Sequence, residues 1–310
     1  MQDSLLFEPD SDYCYSNSNY VLAGLIIEKV SGRSLSEFLN EQIFKPCEMN
    51  NTFVGNDDSV FVNAVTGYSV GNNNRYTAST FMSWCYMYGC GGIISTVDDL
   101  LKFNNALLSG KIIKREWLEK AWQSYTLSNG TSINYGLGWG VGEFNGLKYL
   151  EHGGLDSGFS SDVAFFPAKQ LYMLILSNTD AGPWSFFATI ACKLNGVNVS
   201  QPAPVQPAVN ALKEYEGVYS FKATFTMLPM QRLITLENGH LYSKVKGEDD
   251  EKEELLGVST DFFTVVKGSQ RYKFIRDKAG KITSLKIYTE PFKHGPDQLN
   301  IKTEAVSGGN

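Results

Sequence analysis

Histidine is scarce in this sequence, and its three copies, His152, His240 and His294, lie far apart. The five cysteines, Cys14, Cys47, Cys85, Cys90 and Cys192, are an odd number without metal-ligand spacing. A structural zinc site needs four nitrogen or sulfur ligands gathered by short spacings, so neither a metal nor a cofactor is expected. One cysteine pair is able to form a disulfide, but nothing requires it. Basic clusters are absent, and the net charge is -6 with a pI near 5.2. That excludes nucleic acid and an anionic membrane surface as natural partners. No stretch approaches the ~20 apolar residues of a membrane span. The start, Met1-Gln2-Asp3-Ser4, has neither a basic region nor an apolar run of signal length, so the chain as written carries no address.

What is present is the composition of a globular protein, with 43% hydrophobic and 19% charged residues. A length of 310 residues suits two domains better than one core. The 16 Tyr, 19 Phe and 5 Trp fit an aromatic-lined cleft or β-rich packing.

The polar run Tyr13-Cys14-Tyr15-Ser16-Asn17-Ser18-Asn19 leads into an apolar stretch, Val21 to Val30. It places Tyr15 and Asn17 in a loop just before a helix. A phenol can move a proton, and a carboxamide holds a substrate by donor and acceptor together. Residues 20–31 read as a largely buried helix closed by Gly32. Ser34-Leu35-Ser36-Glu37 reads as a capping box opening a second helix, with Phe38, Leu39 and Ile43 inward and Pro46 as its end. Gly71 to Asn74 reads as a surface loop, and the aromatic stretch Phe81 to Tyr88 lines a cleft or packs. Gly91-Gly92-Ile93-Ile94-Ser95-Thr96-Val97-Asp98-Asp99-Leu100 opens a helix capped by Ser95 or Thr96. That helix runs to about Leu108, with Leu100, Leu101, Phe103, Ala106 and Leu107 inward. A further helix covers Arg115 to Trp122.

From Tyr135 the period is that of strands: Tyr135–Val141, Leu147–Glu151, Phe159–Phe166 and Leu171–Leu176, an antiparallel meander. Pro183 to Leu194 is a covering helix. Gln201 to Pro207 is a linker by composition. Short strands follow at 217–221, 223–227, 233–236, 241–245, 262–266, 272–275 and 282–288, with Asn238-Gly239 as a hairpin signal. They suit a small antiparallel barrel or a sandwich.

Three features in order, Tyr15-Ser16-Asn17, Gly91 to Leu100, and His152-Gly153-Gly154 between two strands after Tyr135-Gly136-Leu137-Gly138-Trp139, resemble one family. It is the serine β-lactamase and penicillin-binding-protein-like hydrolases of the class C, D-alanyl-D-alanine carboxypeptidase and esterase type. The resemblance covers residues 5 to 195, and the tail from about 211 is similar to the lipocalin-like domain attached to some members. It implies an α+β fold: a transpeptidase-like antiparallel sheet with a helical region, incomplete at the N-terminus, and then a small all-β barrel-like domain. The domains are then 1–198, a linker at 199–210, and 211–310.

The resemblance also implies roles. Tyr15 takes part in proton transfer, and His152 hydrogen-bonds or tunes that tyrosine. Asn17 holds the acyl side chain of a small-molecule or peptide substrate. Gly154 lets the substrate lie against the strand, and the Leu155 N–H is an oxyanion donor. One departure is large. The family's nucleophile is the serine of a Ser-x-x-Lys at a helix N-terminus, tens of residues before the tyrosine motif. Here 14 residues precede Tyr15, and Ser243-Lys244-Val245-Lys246 is in an alternating strand of the tail. The chain is therefore expected to lack its nucleophile, to be inactive alone, and to expose apolar surface. It is then a ligand-binding or regulatory module, or a part completed by a partner chain that supplies the missing segment. For the full-length protein the family leans towards an extracytoplasmic location.

Overall fold

The computed structural model of the protein describes residues 5–56, 64–70, 75–80, 83–144, 146–180, 182, 184–196, 205, 208–222, 228–247, 252–265, 270–289 and 298–304. The expected loop at 71–74, the strand at 223–227 and most of the linker at 201–207 lie outside these residues. The chain forms two compact units. One takes in Ser16–Ser124 and Tyr135–Phe187, the other Met1–Tyr15, Tyr125–Asn134 and Ala188–Asn310.

The first of these units is helical and sheet-based. Helix α1, Asn17–Ser31, ends on Gly32, whose φ of 69° is the left-handed cap that glycine adopts without strain. Helix α2, Leu35–Leu39, opens with the expected capping box: Ser34 accepts from the Glu37 N–H and Glu37 accepts from the Ser34 N–H. It runs on as one wide turn, Asn40–Phe44. Two strand pairs follow, β1 (Phe53–Val54) with β4 (Ile93–Ile94), and β2 (Tyr68–Val70) with β3 (Tyr76–Ala78). Helix α3, Val97–Leu108, starts where Thr96 accepts from the Asp99 N–H. Phe44, Cys47, Met49 and Ala106 form a core beneath it, with Leu39, Ile43, Leu100 and Phe103 packed around. Asp99 has no exposed side-chain surface. It takes the Asn51 N–H (2.7 Å), the Thr52 hydroxyl (2.9 Å) and the Lys102 ammonium (2.9 Å). A buried carboxylate is tolerated here because three donors meet it.

Helix α4, Arg115–Ala121, precedes the four-stranded meander β5 (Gly140–Phe144), β6 (Leu147–Asp156), β7 (Phe159–Phe166) and β8 (Leu171–Ser177). All neighbours are antiparallel, as expected. Leu118 and Trp122 at the end of α4 pack with Val141, Leu150 and Phe165 of the sheet. Helix α5, Trp184–Leu194, carries the boundary between the units.

The other unit contains a closed barrel of β9 (Gly217–Lys222), β10 (Pro229–Glu237), β11 (His240–Val245), β12 (Glu253–Ser259), β13 (Phe262–Val265), β14 (Gln270–Arg276), β15 (Ile282–Thr289) and β16 (Gln298–Glu304). Of the two architectures left open by the sequence, the barrel is the one formed. Its interior is filled: Tyr219, Ile234, Leu241, Leu255, Phe263, Tyr272, Phe274 and Leu285 are all buried. Tyr215 closes one end, its ring 4.9 Å from Phe263 and 4.7 Å from Phe274. In the same unit Asp10 ties the N-terminal segment to residues 125–134. Its carboxylate accepts from the Tyr125 hydroxyl (2.9 Å) and its carbonyl from the Ser128 hydroxyl (2.8 Å).

Four local expectations are corrected. Helix α1 is not largely buried: Gly24 alone is, while Leu22, Leu25, Ile26 and Val30 are 57%, 49%, 62% and 82% exposed. An apolar run fixes a helix that needs cover, but the cover is not local in sequence. Asn17 is the first residue of α1 rather than part of the preceding loop. Leu101 is exposed, because α3 turns its opposite side to the core. Residues 135–139 are no strand. Gly138, at φ 78°, bends the chain, and Gly136 packs so closely that a Cβ would lie 2.2 Å from the Ala121 carbonyl oxygen.

Candidate active site

Strand β6 organises the site. Its partner β5 stops with Gly140 opposite Glu151. From His152 to Asp156 the strand pairs only with β7, residue for residue down to Asp156 opposite Phe159. Among the described residues, the other edge of residues 152–156 has no strand partner. Such an edge offers backbone N–H and C=O groups to an extended ligand. His152-Gly153-Gly154 therefore lies within a strand rather than between two, and only Ser157–Gly158 makes the turn. That turn is held from outside by the Tyr68 N–H, which donates to the Gly158 carbonyl at 3.2 Å.

His152 is fixed at both ring nitrogens. Nδ1 is 2.7 Å from the Gly153 carbonyl, and Nε2 is 2.8 Å from the Tyr135 hydroxyl. A carbonyl only accepts, so in the neutral ring Nδ1 carries the hydrogen and the phenol donates to Nε2. The two rings meet edge-on, centroids 6.0 Å apart. Tyr135 is buried, and the glycine-shaped bend after it is what aims it at the strand. Tyr135 was not among the residues expected at the site. The available signal was the pair of glycines at 136 and 138, which mark close backbone approach and a bend.

Gly154 faces β7. A Cβ there would meet the Ser161 hydroxyl at 2.6 Å, so only glycine leaves both strand and hydroxyl in place. Leu155 is 61% exposed beside it. His152, Gly154 and Leu155 are thus brought together on one strand. Asn17, at the start of α1, belongs to the same unit and is exposed. Tyr15 is half-buried and belongs to the other unit. Ser243 is buried inside the barrel on β11, bonded to Arg232 and Tyr272. Among the described residues no three His, Cys, Asp or Glu side chains gather as for a metal ion, and no helix is long and apolar enough to cross a membrane.

A mixed helical fold on an antiparallel meander, with His-Gly-Gly on an open strand edge, defines the class of the penicillin-binding-protein-like fold. Residues 1–191 match the family model "Beta-lactamase", and the chain belongs to that family. Penicillin-binding protein 4* of Bacillus subtilis is 27% identical over 260 residues, which cover 78% of this chain and 57% of that protein. The chain spans about half the length of the curated relatives it matches. An octameric penicillin-binding protein homologue from Pyrococcus abyssi shares the fold over 95% of this chain and 66% of its own, with a TM-score of 0.59 at 23% identity. A D-stereospecific amidohydrolase from Streptomyces sp. superposes with a TM-score of 0.54 at 27% identity, covering 62% of this chain and 57% of its own.

Proposed function

We propose that the sheet-based unit supplies the strand-and-histidine side of an acyl-transfer site for hydrolysis of amide, lactam or ester bonds. The observation that carries this reading is the open edge of residues 152–156, with His152 locked beside it by Tyr135 and Gly153. Membership of the family supports it, and the Streptomyces amidohydrolase favours an amide bond next to a D-residue. In this reading a substrate lies along β6 at Gly154, and the Leu155 N–H donates to the developing oxyanion. Asn17 binds the acyl side chain. His152 tunes the phenol of Tyr135, to which its Nε2 is bonded. The nucleophile comes from polypeptide outside these 310 residues, since the one Ser-x-x-Lys sits in the barrel wall with its serine buried. The isolated chain then binds substrate but does not turn it over, because a catalytic unit loses nearly all its rate with its nucleophile.

The exposed apolar side of α1 favours a companion reading. A segment from outside these residues, in the same or a partner chain, covers Leu22, Leu25, Ile26 and Val30. The test is a thermal shift of the 310-residue chain with an N-acyl-D-alanyl-D-alanine peptide. A saturable rise in Tm, cancelled by Gly154→Val, is expected. No rise, or a rise that Gly154→Val leaves intact, overturns the assignment of the edge.

A further inference from the structure

Strand β7 carries one polar side chain on the face of the sheet that holds His152 and Gly154. Facing residues of an antiparallel pair share a side, and His152 faces Val163 while Gly154 faces Ser161. The β7 row on that side is therefore Phe159, Ser161, Val163 and Phe165, apolar but for Ser161. Strand β8 adds Leu176 opposite Ser161 and Leu174 opposite Val163. Around Ser161 this side is the open one. Ser161 and Val163 are half-buried and Phe159 is exposed, whereas Ser160, Asp162 and Ala164 on the other side are buried. The hydroxyl of the buried Ser160 donates to the Thr179 carbonyl at 2.6 Å. The Ser161 hydroxyl has no such partner among the described residues.

A half-open hydroxyl that the fold does not use is available to a ligand. A Cβ on Gly154 would lie 2.6 Å from Ser161 Oγ, so the hydroxyl occupies the place of the side chain that Gly154 lacks. It thus leans from β7 onto β6, the strand whose other edge is open from His152 to Asp156. Residue 154 has no side chain to screen the hydroxyl from that edge. The apolar residues around it suit an uncharged partner atom, because an ion there would lose hydration without a counter-charge. We propose that Ser161 is a substrate-binding residue: its hydroxyl donates to an uncharged carbonyl oxygen of an acyl-D-residue substrate laid over Gly154. The assignment rests on the reading of β6 as the substrate edge. It gives Gly154 a second task, that of leaving room for the hydroxyl.

The test is calorimetric titration of the 310-residue chain, Ser161→Ala and Ser161→Thr with the N-acyl-D-alanyl-D-alanine peptide, together with the Tm of each free chain. Ser161→Ala is expected to bind about three- to tenfold more weakly, the worth of one hydrogen bond. Ser161→Thr, which keeps the hydroxyl, is expected to restore binding. The Tm of free Ser161→Ala is expected to match wild type, since the hydroxyl has no partner in the fold to lose. Wild-type binding that Ser161→Ala leaves undiminished overturns the proposal while the β6 edge stands. An equal loss in Ser161→Thr, or a lower Tm of free Ser161→Ala, assigns the side chain to packing and also overturns it. No binding by wild type overturns the edge, and this assignment with it.

Discussion

Replacing Tyr135 by Phe tests the part of the site that the structure defines most closely. The change removes one oxygen from a buried ring and leaves its packing in place. That oxygen lies 2.8 Å from His152 Nε2, and Nδ1 is committed to the Gly153 carbonyl at 2.7 Å. In wild type the neutral ring is therefore held with its hydrogen on Nδ1. In the variant Nε2 loses its donor in a half-buried site. Losing a hydrogen bond and leaving an acceptor unmet costs about 1–2 kcal/mol, a factor of roughly 5–30 in the folding constant. Two readouts follow. The urea midpoint of the sheet-based unit, followed by tryptophan fluorescence, falls accordingly. In 15N NMR the His152 signals, identified by their loss in His152→Gln, show Nδ1–H in wild type and still in Tyr135→Phe, where Gly153 continues to accept it, while the Nε2 signal shifts with the loss of the phenol's hydrogen bond. A wild-type neutral ring with its hydrogen on Nε2 would refute the reasoning, since Nδ1 then has nothing to donate to Gly153.

Other outcomes follow from single contacts. Burial acts to raise the Asp99 carboxyl, but the Lys102 ammonium, the Asn51 N–H and the Thr52 hydroxyl outweigh it and hold its pKa below the ordinary value. A folded pKa below the unfolded one, about 4, means the native state binds fewer protons. The stabilisation is therefore full above pH 4 and is lost as pH falls through the folded value. Asp99→Asn should flatten the acid limb of a urea midpoint series from pH 7 to 3; an unchanged limb contradicts the account. Gly136→Ala forces a Cβ against the Ala121 carbonyl and should cost about 1–3 kcal/mol by the overpacking it imposes, read as a drop in Tm; an unchanged Tm contradicts it. Arg276 bonds to Asp261 (2.9 Å from Nε to each oxygen) and to Glu214 (2.7 Å) beside the Tyr215 closure, so Arg276→Lys should lower the barrel's urea midpoint, since an ammonium cannot hold that fork. Ile26→Glu on α1 should leave the Tm of the isolated chain within a degree or two and reduce its self-association in sedimentation; a large loss of Tm would mean the face is packed.

Local signals carried much of this fold. The Gly32 cap, the Ser34–Glu37 box and the Thr96 cap are each written within four residues, and the helix starts and stops they mark are where the chain has them. The meander is legible from the apolar and aromatic residues of β6 to β8 and the short turns between them, although β6 runs on from the expected end at Glu151 to Asp156. What failed was whatever depends on distant partners. The face of α1 was read as buried from its own residues, yet burial is set by what covers it. Residues 135–139 look strand-like because glycine and apolar residues alternate, but Gly136 and Gly138 are there for close approach and bend. Strands β12 and β16 begin with or contain too many charged and polar residues to stand out. At the site, His152-Gly153-Gly154 was visible as a motif, whereas its partner Tyr135 is 17 residues away and is brought close only by the antiparallel return of the chain.

The measurement that bears most directly on the proposed function is intact-protein mass spectrometry after reaction with a fluorophosphonate. The 310-residue chain is expected to gain no adduct, and the protein isolated from its natural source to gain one on a serine outside these residues. An adduct mapped to any serine within the chain would contradict the account, because the site would then hold its own nucleophile.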